Sequence, residues 1–106
     1  MKLFIDSAVL NEIKTAHSWG MVDGVTTNPT LIMKAGMDFK KTIIEIAKLV
    51  NGPVSAETVS PDAAGMVKEG KIFAGWHKNV YVKVPCTVEG LIACRALTKE
   101  GIKVNV

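Results

Sequence analysis

The strongest constraint on this chain is an alternation. A short run rich in valine and isoleucine is followed by an amphipathic stretch, four times over, and one further run closes the sequence. The runs lie at residues 2–6, 24–26, 53–59, 80–85 and 102–106. β-Branched residues between turn-prone ones predict short strands there. In the first intervening stretch, Leu10, Ile13 and His17 fall at helical spacing, with Ser7 or Asn11 as the start and Gly20 as the stop. The stretch 38–50 is the clearest helix, because Phe39, Ile43, Ile46, Ala47 and Val50 make one apolar stripe. In Ser60-Pro61-Asp62 the sequence predicts a helix start with Ser60 as N-cap and Pro61 in the first turn; Met66, Val67 and Phe73 supply its packing. Thr87 caps the last helix, where Leu91, Cys94 and Leu97 recur near helical spacing and Gly101 ends it. Residues 27–30, Thr-Thr-Asn-Pro-Thr being read from 26, form a loop, since the residue before a proline prefers extended backbone.

Strands alternating with helices of this length imply parallel strands joined by right-handed crossovers. The expected class is α/β. At roughly 20 to 30 residues per unit, a closed (β/α)8 barrel needs about 200 residues. The 106 residues therefore cover about four β/α units and a fifth strand, a partial TIM barrel read as one domain over 1–106. The rival is a small flavodoxin-like sheet, which ordinarily ends on a covering helix rather than on a strand.

Composition removes several function classes. Hydrophobic residues make up 48% and charged ones 22%, a folded rather than a disordered balance. No apolar run approaches membrane-spanning length and the N-terminus carries no signal-peptide pattern, so a cytoplasmic protein without membrane partners is expected. Cys86 and Cys94 lack Cys-x-x-Cys spacing, and neither histidine completes a ligand set with them; neither a metal site nor a disulfide framework is expected. The net charge of +3 comes from lysines scattered among acids, without the basic run or interleaved aromatics of a nucleic-acid stripe. A mild basic excess does suit small anionic substrates such as sugar phosphates. His17 and His77 read as helix-face or helix-end residues, Trp19, Trp76 and the five methionines as packing, and Cys86 as a packed thiol.

The chemistry emerges from strand parity. Side chains alternate along a strand, so Val80, Val82 and Val84 share one face while Tyr81 and Lys83 share the other. A lysine set in a buried valine strand is costly unless something uses it. Turning the valines and isoleucines of every strand towards the helices leaves Asp6, Thr26 with Asn28, Ser55 with Glu57, Lys83 and Asn105 on the opposite face. All lie at or near the C-terminal ends of their strands, where parallel α/β folds mount catalytic groups. A neutral lysine amine can attack a carbonyl and form a protonated Schiff base, an electron sink for carbon–carbon cleavage. Burial favours the neutral amine and a nearby carboxylate the charged one. Asp6 can take the departing hydroxyl proton, Glu57 can shuttle protons through a water, and Thr26, Asn28 and Asn105 can hold substrate hydroxyls. This chemistry needs no cofactor. Taken singly, these residues have plainer readings: Lys83 in an ion-pair network, Asp6 as an N-cap, and Asn28 in an ordinary turn. Five strand ends agreeing favours the site.

Phe4-Ile5-Asp6-Ser7-Ala8, residues 24–32 (Gly-Val-Thr-Thr-Asn-Pro-Thr-Leu-Ile), Val54-Ser55-Ala56-Glu57, Val82-Lys83-Val84-Pro85 and residues 100–106 together resemble the small transaldolase family, which includes fructose-6-phosphate aldolase. The likeness runs in order along the whole chain. It implies a class I, Schiff-base (β/α)8 enzyme of the pentose phosphate pathway. Such an enzyme moves a dihydroxyacetone unit among fructose 6-phosphate, erythrose 4-phosphate and sedoheptulose 7-phosphate. By this resemblance Lys83 is the Schiff-base lysine, Asp6 the acid/base aspartate and Glu57 the water-activating acid. Asn28, Asn105 and Thr26 match the substrate-binding positions. The aldolase branch has glutamine where this chain has Glu57, which favours transaldolase. The family continues beyond the fifth strand with a shuttle threonine, a serine, a phosphate-gripping arginine and a helix that helps build ring-shaped homo-oligomers. The expectation is therefore a fragment, or a short form that completes its sheet by self-association. Two other readings stay open, a non-catalytic half-barrel assembly module and a sugar-phosphate binder.

Overall fold

Each valine-rich run becomes a parallel strand, and each amphipathic stretch becomes a helix. The computed structural model describes residues 1–106. Its elements are β1 (Phe4–Asp6), α1 (Leu10–Ser18), β2 (Gly24–Thr26), α2 (Pro29–Lys34), α3 (Phe39–Leu49), β3 (Val54–Glu57), α4 (Ala63–Ala74), β4 (Val80–Lys83), α5 (Val88–Lys99) and β5 (Val104–Asn105). The five strands form one sheet in the spatial order β1-β2-β3-β4-β5, and every neighbouring pair is parallel. A flavodoxin-like sheet reverses direction after its first strand; this one does not. The arrangement is that of a partial (β/α)8 barrel.

Parity decides which face is covered. Val25, Val54, Ala56, Val80, Val82 and Val84 are buried, and they share one core with Ile13, Ile43, Ile46, Met66, Ala93 and Leu97 from the helices. At one side of that core Phe39 packs edge-on to Phe73 and Trp76, with ring centroids 5.4 and 5.5 Å apart. Gly70 sits mid-helix, where glycine is intrinsically unfavourable. A methyl group there would lie 2.9 Å from Leu97 Cδ1 and 3.1 Å from Val82 Cγ1, so the glycine lets α4 settle closely on β4 and α5.

Several boundaries differ from the sequence expectation, for local reasons. The first helix begins at Leu10 rather than at Ser7 or Asn11. Ser7 instead makes a turn before it, accepting from the Val9 N–H at 3.0 Å and donating to Glu12 at 2.6 Å. Residues 29–34 form α2 instead of a loop: Asn28 Oδ1 accepts from the Leu31 N–H at 2.8 Å and Pro29 occupies the first turn. The Asn-Pro pair is thus a helix start, cap followed by pre-set φ. Conversely, Ser60 does not cap α4. Asp62 holds the N-cap position, and Ser60 donates its hydroxyl to Glu69. In α5 Thr87 does cap, accepting from Gly90 at 3.1 Å. Its inward residues are Gly90, Ala93 and Leu97, however, and Leu91 is 53% exposed. Leu91 lies one position past Gly90 in the helical rotation, which turns it away from the sheet. Trp19, Met21 and Met33 are also exposed rather than packed, as is Cys86. No helix is long and apolar enough to cross a membrane.

Candidate functional site

Asp6, Thr26, Glu57, Lys83 and Asn105 are each the last residue of their strands. The register sorts the open face into rows. Asp6, Thr26, Ser55 and Tyr81 are successive partners across β1 to β4. Glu57, Lys83 and Asn105 make the next row up, across β3 to β5. Two residues separate the rows along each strand, about 6.6 Å. Asn28 continues the upper row past the end of β2.

Each row is internally wired. In the upper row Lys83 Nζ lies 3.3 Å from Glu57 Oε2. In the lower row Thr26 donates its hydroxyl to Asp6 Oδ1 at 2.9 Å. Asn105 joins the two, donating from Nδ2 to Ser55 Oγ at 2.9 Å. Lys103, on the same face of the sheet, places its ammonium 5.3 Å from the Tyr81 ring centroid, within cation–π range.

Lys83 is not sunk among the valines, as a buried strand would require. It points from the other face, and its side chain is 30% exposed. Parity that buries Val82 and Val84 against helices turns Lys83 to the uncovered side. The desolvation cost expected from its apolar neighbours is therefore largely absent. The opening above it is a cleft of about 590 Å³ lined by Asn28, Glu57, Thr58 and Lys83 together with the first turn of α2. A second hollow, about 410 Å³, lies beside Thr26, Ser55, Tyr81 and Asn105, with Phe4 on its wall. The geometry thus brings Asn28, Glu57 and Lys83 to one cavity and Thr26 and Asn105 to another, while Asp6 lines neither. Cys86 is outside both.

Two threonines that sequence reading passed over hold this frame. Thr27 is fully buried and donates to the Ser55 carbonyl at 2.7 Å, tying β2 to β3 just below Asn28. Thr58 donates its N–H to the Lys83 carbonyl at 3.0 Å, with its hydroxyl 3.4 Å from the same oxygen. The signal was available in parity: both alternate with open-face residues, so both face the core, where a hydroxyl needs a partner. Thr27→Val keeps the shape but leaves the Ser55 carbonyl without that donor. It is expected to lower stability by about 1–2 kcal/mol, read as a lower urea midpoint at unchanged slope. A midpoint equal to that of the unmutated chain would remove Thr27 from the frame.

Comparison with known proteins decides the lineage. The model of the family described as "Transaldolase/Fructose-6-phosphate aldolase" matches residues 3–106. The chain belongs to this family. Curated relatives agree. It is 60% identical over 107 residues to a "Probable transaldolase" of Roseiflexus sp. (strain RS-1), covering 100% of this chain and 49% of that protein. Relatives of the same printed name from Caldicellulosiruptor saccharolyticus and Geobacter sulfurreducens are each 58% identical over 106 residues, covering 49% and 50% of their lengths. The chain thus spans about half the length of the transaldolase relatives it matches. The family is one of (β/α)8 barrels, in keeping with the sequential parallel sheet.

Proposed function

We propose that residues 1–106 are the N-terminal part of a class I aldolase-type barrel that carries the Schiff-base chemistry of a transaldolase. The observation that carries the reading is the Lys83–Glu57 pair, 3.3 Å apart at adjacent strand ends and facing one cleft with Asn28, in a chain of this family. Lys83 Nζ adds to the keto carbon of a ketose phosphate such as fructose 6-phosphate or sedoheptulose 7-phosphate. Loss of water gives the iminium, with Glu57 relaying the protons that leave the amine and reach the departing oxygen. The C3–C4 bond then breaks, its electron pair moving into the iminium, and the C4 hydroxyl proton passes to Asp6. An aldose phosphate leaves, and the enamine on Lys83 adds to an acceptor aldehyde such as erythrose 4-phosphate while Asp6 returns the proton. Hydrolysis through the Glu57-held water frees the product. Asn28, Asn105 and Thr26 hold substrate hydroxyls.

Thr26 already donates to Asp6, which orients that carboxylate for the hydroxyl it deprotonates. The same reading includes a cytoplasmic location and self-association. Val88, Leu91 and Ile92 on α5 and Phe4 beside the open face are exposed apolar side chains of the kind that protein contacts cover.

The test is an intact-mass spectrum after incubating the folded chain with fructose 6-phosphate and sodium borohydride. A covalent adduct that maps to Lys83 is expected. A folded sample that gains no mass would leave Lys83 as an inherited residue and the chain as an assembly module. Light scattering on the same sample checks self-association, and a clean monomer would count against it.

A further inference from the structure

Three consecutive backbone N–H groups follow Glu57, and each has an acceptor. Thr58 donates to the Lys83 carbonyl at 3.0 Å. Val59 and Ser60 both donate to the carboxylate of Glu69, at 2.9 Å to Oε2 and 2.8 Å to Oε1. The Ser60 hydroxyl donates to the same Oε1. One carboxylate on α4 thereby takes three donors from the segment that leaves β3. Charge-assisted bonds to two successive amides fix both position and direction of a backbone.

The seat for this segment has a second, independent part. Gly65, four residues before Glu69 and on the same face of α4, carries no side chain where Ser60 rests. A methyl group there would lie 2.6 Å from Ser60 Cβ and 2.7 Å from its Oγ. Glu69 and Glu57 also both line a separate, mostly apolar hollow of about 320 Å³. Asp62, at the N-cap of α4, makes no side-chain capping bond. The exit from β3 is therefore held at Thr58 by the Lys83 carbonyl and at Val59 and Ser60 by Glu69, not by a side-chain cap at the helix start.

We propose that Glu69 is a positioning residue for Glu57: it clamps the chain two and three residues beyond it, so that the carboxylate stays against Lys83. The inference takes Glu57 and Lys83 as the working pair proposed above. Glu69 touches no reacting atom and acts only through Glu57.

The experiment is competitive reductive methylation with formaldehyde and cyanoborohydride, with each lysine's labelling rate read by peptide mass spectrometry. Lys71, which is ion-paired to Glu100 at 2.9 Å and lies on α4 beside the clamp, is the internal reference. Glu57→Gln is expected to raise Lys83 labelling about threefold relative to Lys71, the effect of losing one partly exposed ion pair. Glu69→Gln is expected to raise it by a similar factor, and the double variant no further than Glu57→Gln alone. Glu69→Asp keeps the charge but is one methylene too short to reach both amides; it is expected to behave as Glu69→Gln. Unchanged Lys83 labelling in Glu69→Gln, rates that multiply in the double variant, or an equal rise at Lys71 would each overturn the proposal. Trapping of dihydroxyacetone with borohydride on the unmutated chain runs alongside. Its failure would remove the aldol reading while leaving the labelling result to decide the role of Glu69.

Discussion

Lys83→Met is expected to abolish the borohydride-dependent adduct while leaving the fold intact. Methionine matches the length and aliphatic stem of lysine but has no amine, so carbinolamine formation has no nucleophile. Stability should move by no more than about 1 kcal/mol. The ion pair with Glu57 is partly solvated on both sides, at 30% and 29% side-chain exposure, and such pairs contribute little. The informative contrast is with Lys103, whose ammonium also stands on the open face, over Tyr81. Peptide mapping must find the unmutated chain's adduct at Lys83 and nowhere else. An adduct that persists in Lys83→Met and maps to Lys103 would move the nucleophile to the residue that precedes β5 and sink the assignment.

How much of this was legible in the sequence follows from which forces act locally. The valines of β4 announce both a strand and its covered face, because burial and side-chain alternation act residue by residue; hence Val80, Val82 and Val84 are buried and Lys83 is open. The stripe from Phe39 to Val50 was equally plain, with Asp38 as its cap. Capping by neighbours was not. Ser60-Pro61-Asp62 has the composition of a helix start, yet Glu69, nine residues on, takes the Ser60 hydroxyl and amide. A competing acceptor from the next turn of structure overrides the local propensity. In α5 the error was rotational: Gly90 had to face inward to let the helix meet Pro85, and that sets Leu91 outward. As for the site, parity identified the face and the strand ends. It left out the division of the residues into two hollows, one of which is walled by the first turn of α2.

That α2 begins at Pro29 matters chemically as well. Asn28 spends Oδ1 on the Leu31 N–H, so its amide nitrogen is the end left to face the cleft it lines with Lys83. A residue assigned to a loop becomes a helix cap with one fixed orientation. Such a side chain is better suited to hold a substrate hydroxyl than one free to rotate, because less rotamer freedom is lost on binding.

Gly90→Ala is expected to cost far more stability than Lys83→Met, about 3 kcal/mol out of the 5–15 typical of a domain. The added methyl would sit 1.9 Å from the Pro85 carbonyl oxygen and 3.0 Å from its carbon. Backbone atoms cannot swing away as a side-chain tip can. The strand exit is pinned on both sides, with the Val84 N–H on the Asn105 carbonyl and the Thr87 N–H on the Pro85 carbonyl, each at 2.9 Å. Relief must therefore come from moving α5 or the Lys83–Pro85 segment. Gly52→Ala is the matched control. Its methyl would lie 1.9 Å from the Asp23 carbonyl oxygen, at the opposite end of the sheet. Both variants should lower the urea midpoint comparably. Only Gly90→Ala should also slow trapping at Lys83, measured per folded molecule at a denaturant-free reference. Equal trapping rates in the two variants would mean that the Pro85 exit does not set the lysine's position, and that strand pairing with β3 and β5 does so alone.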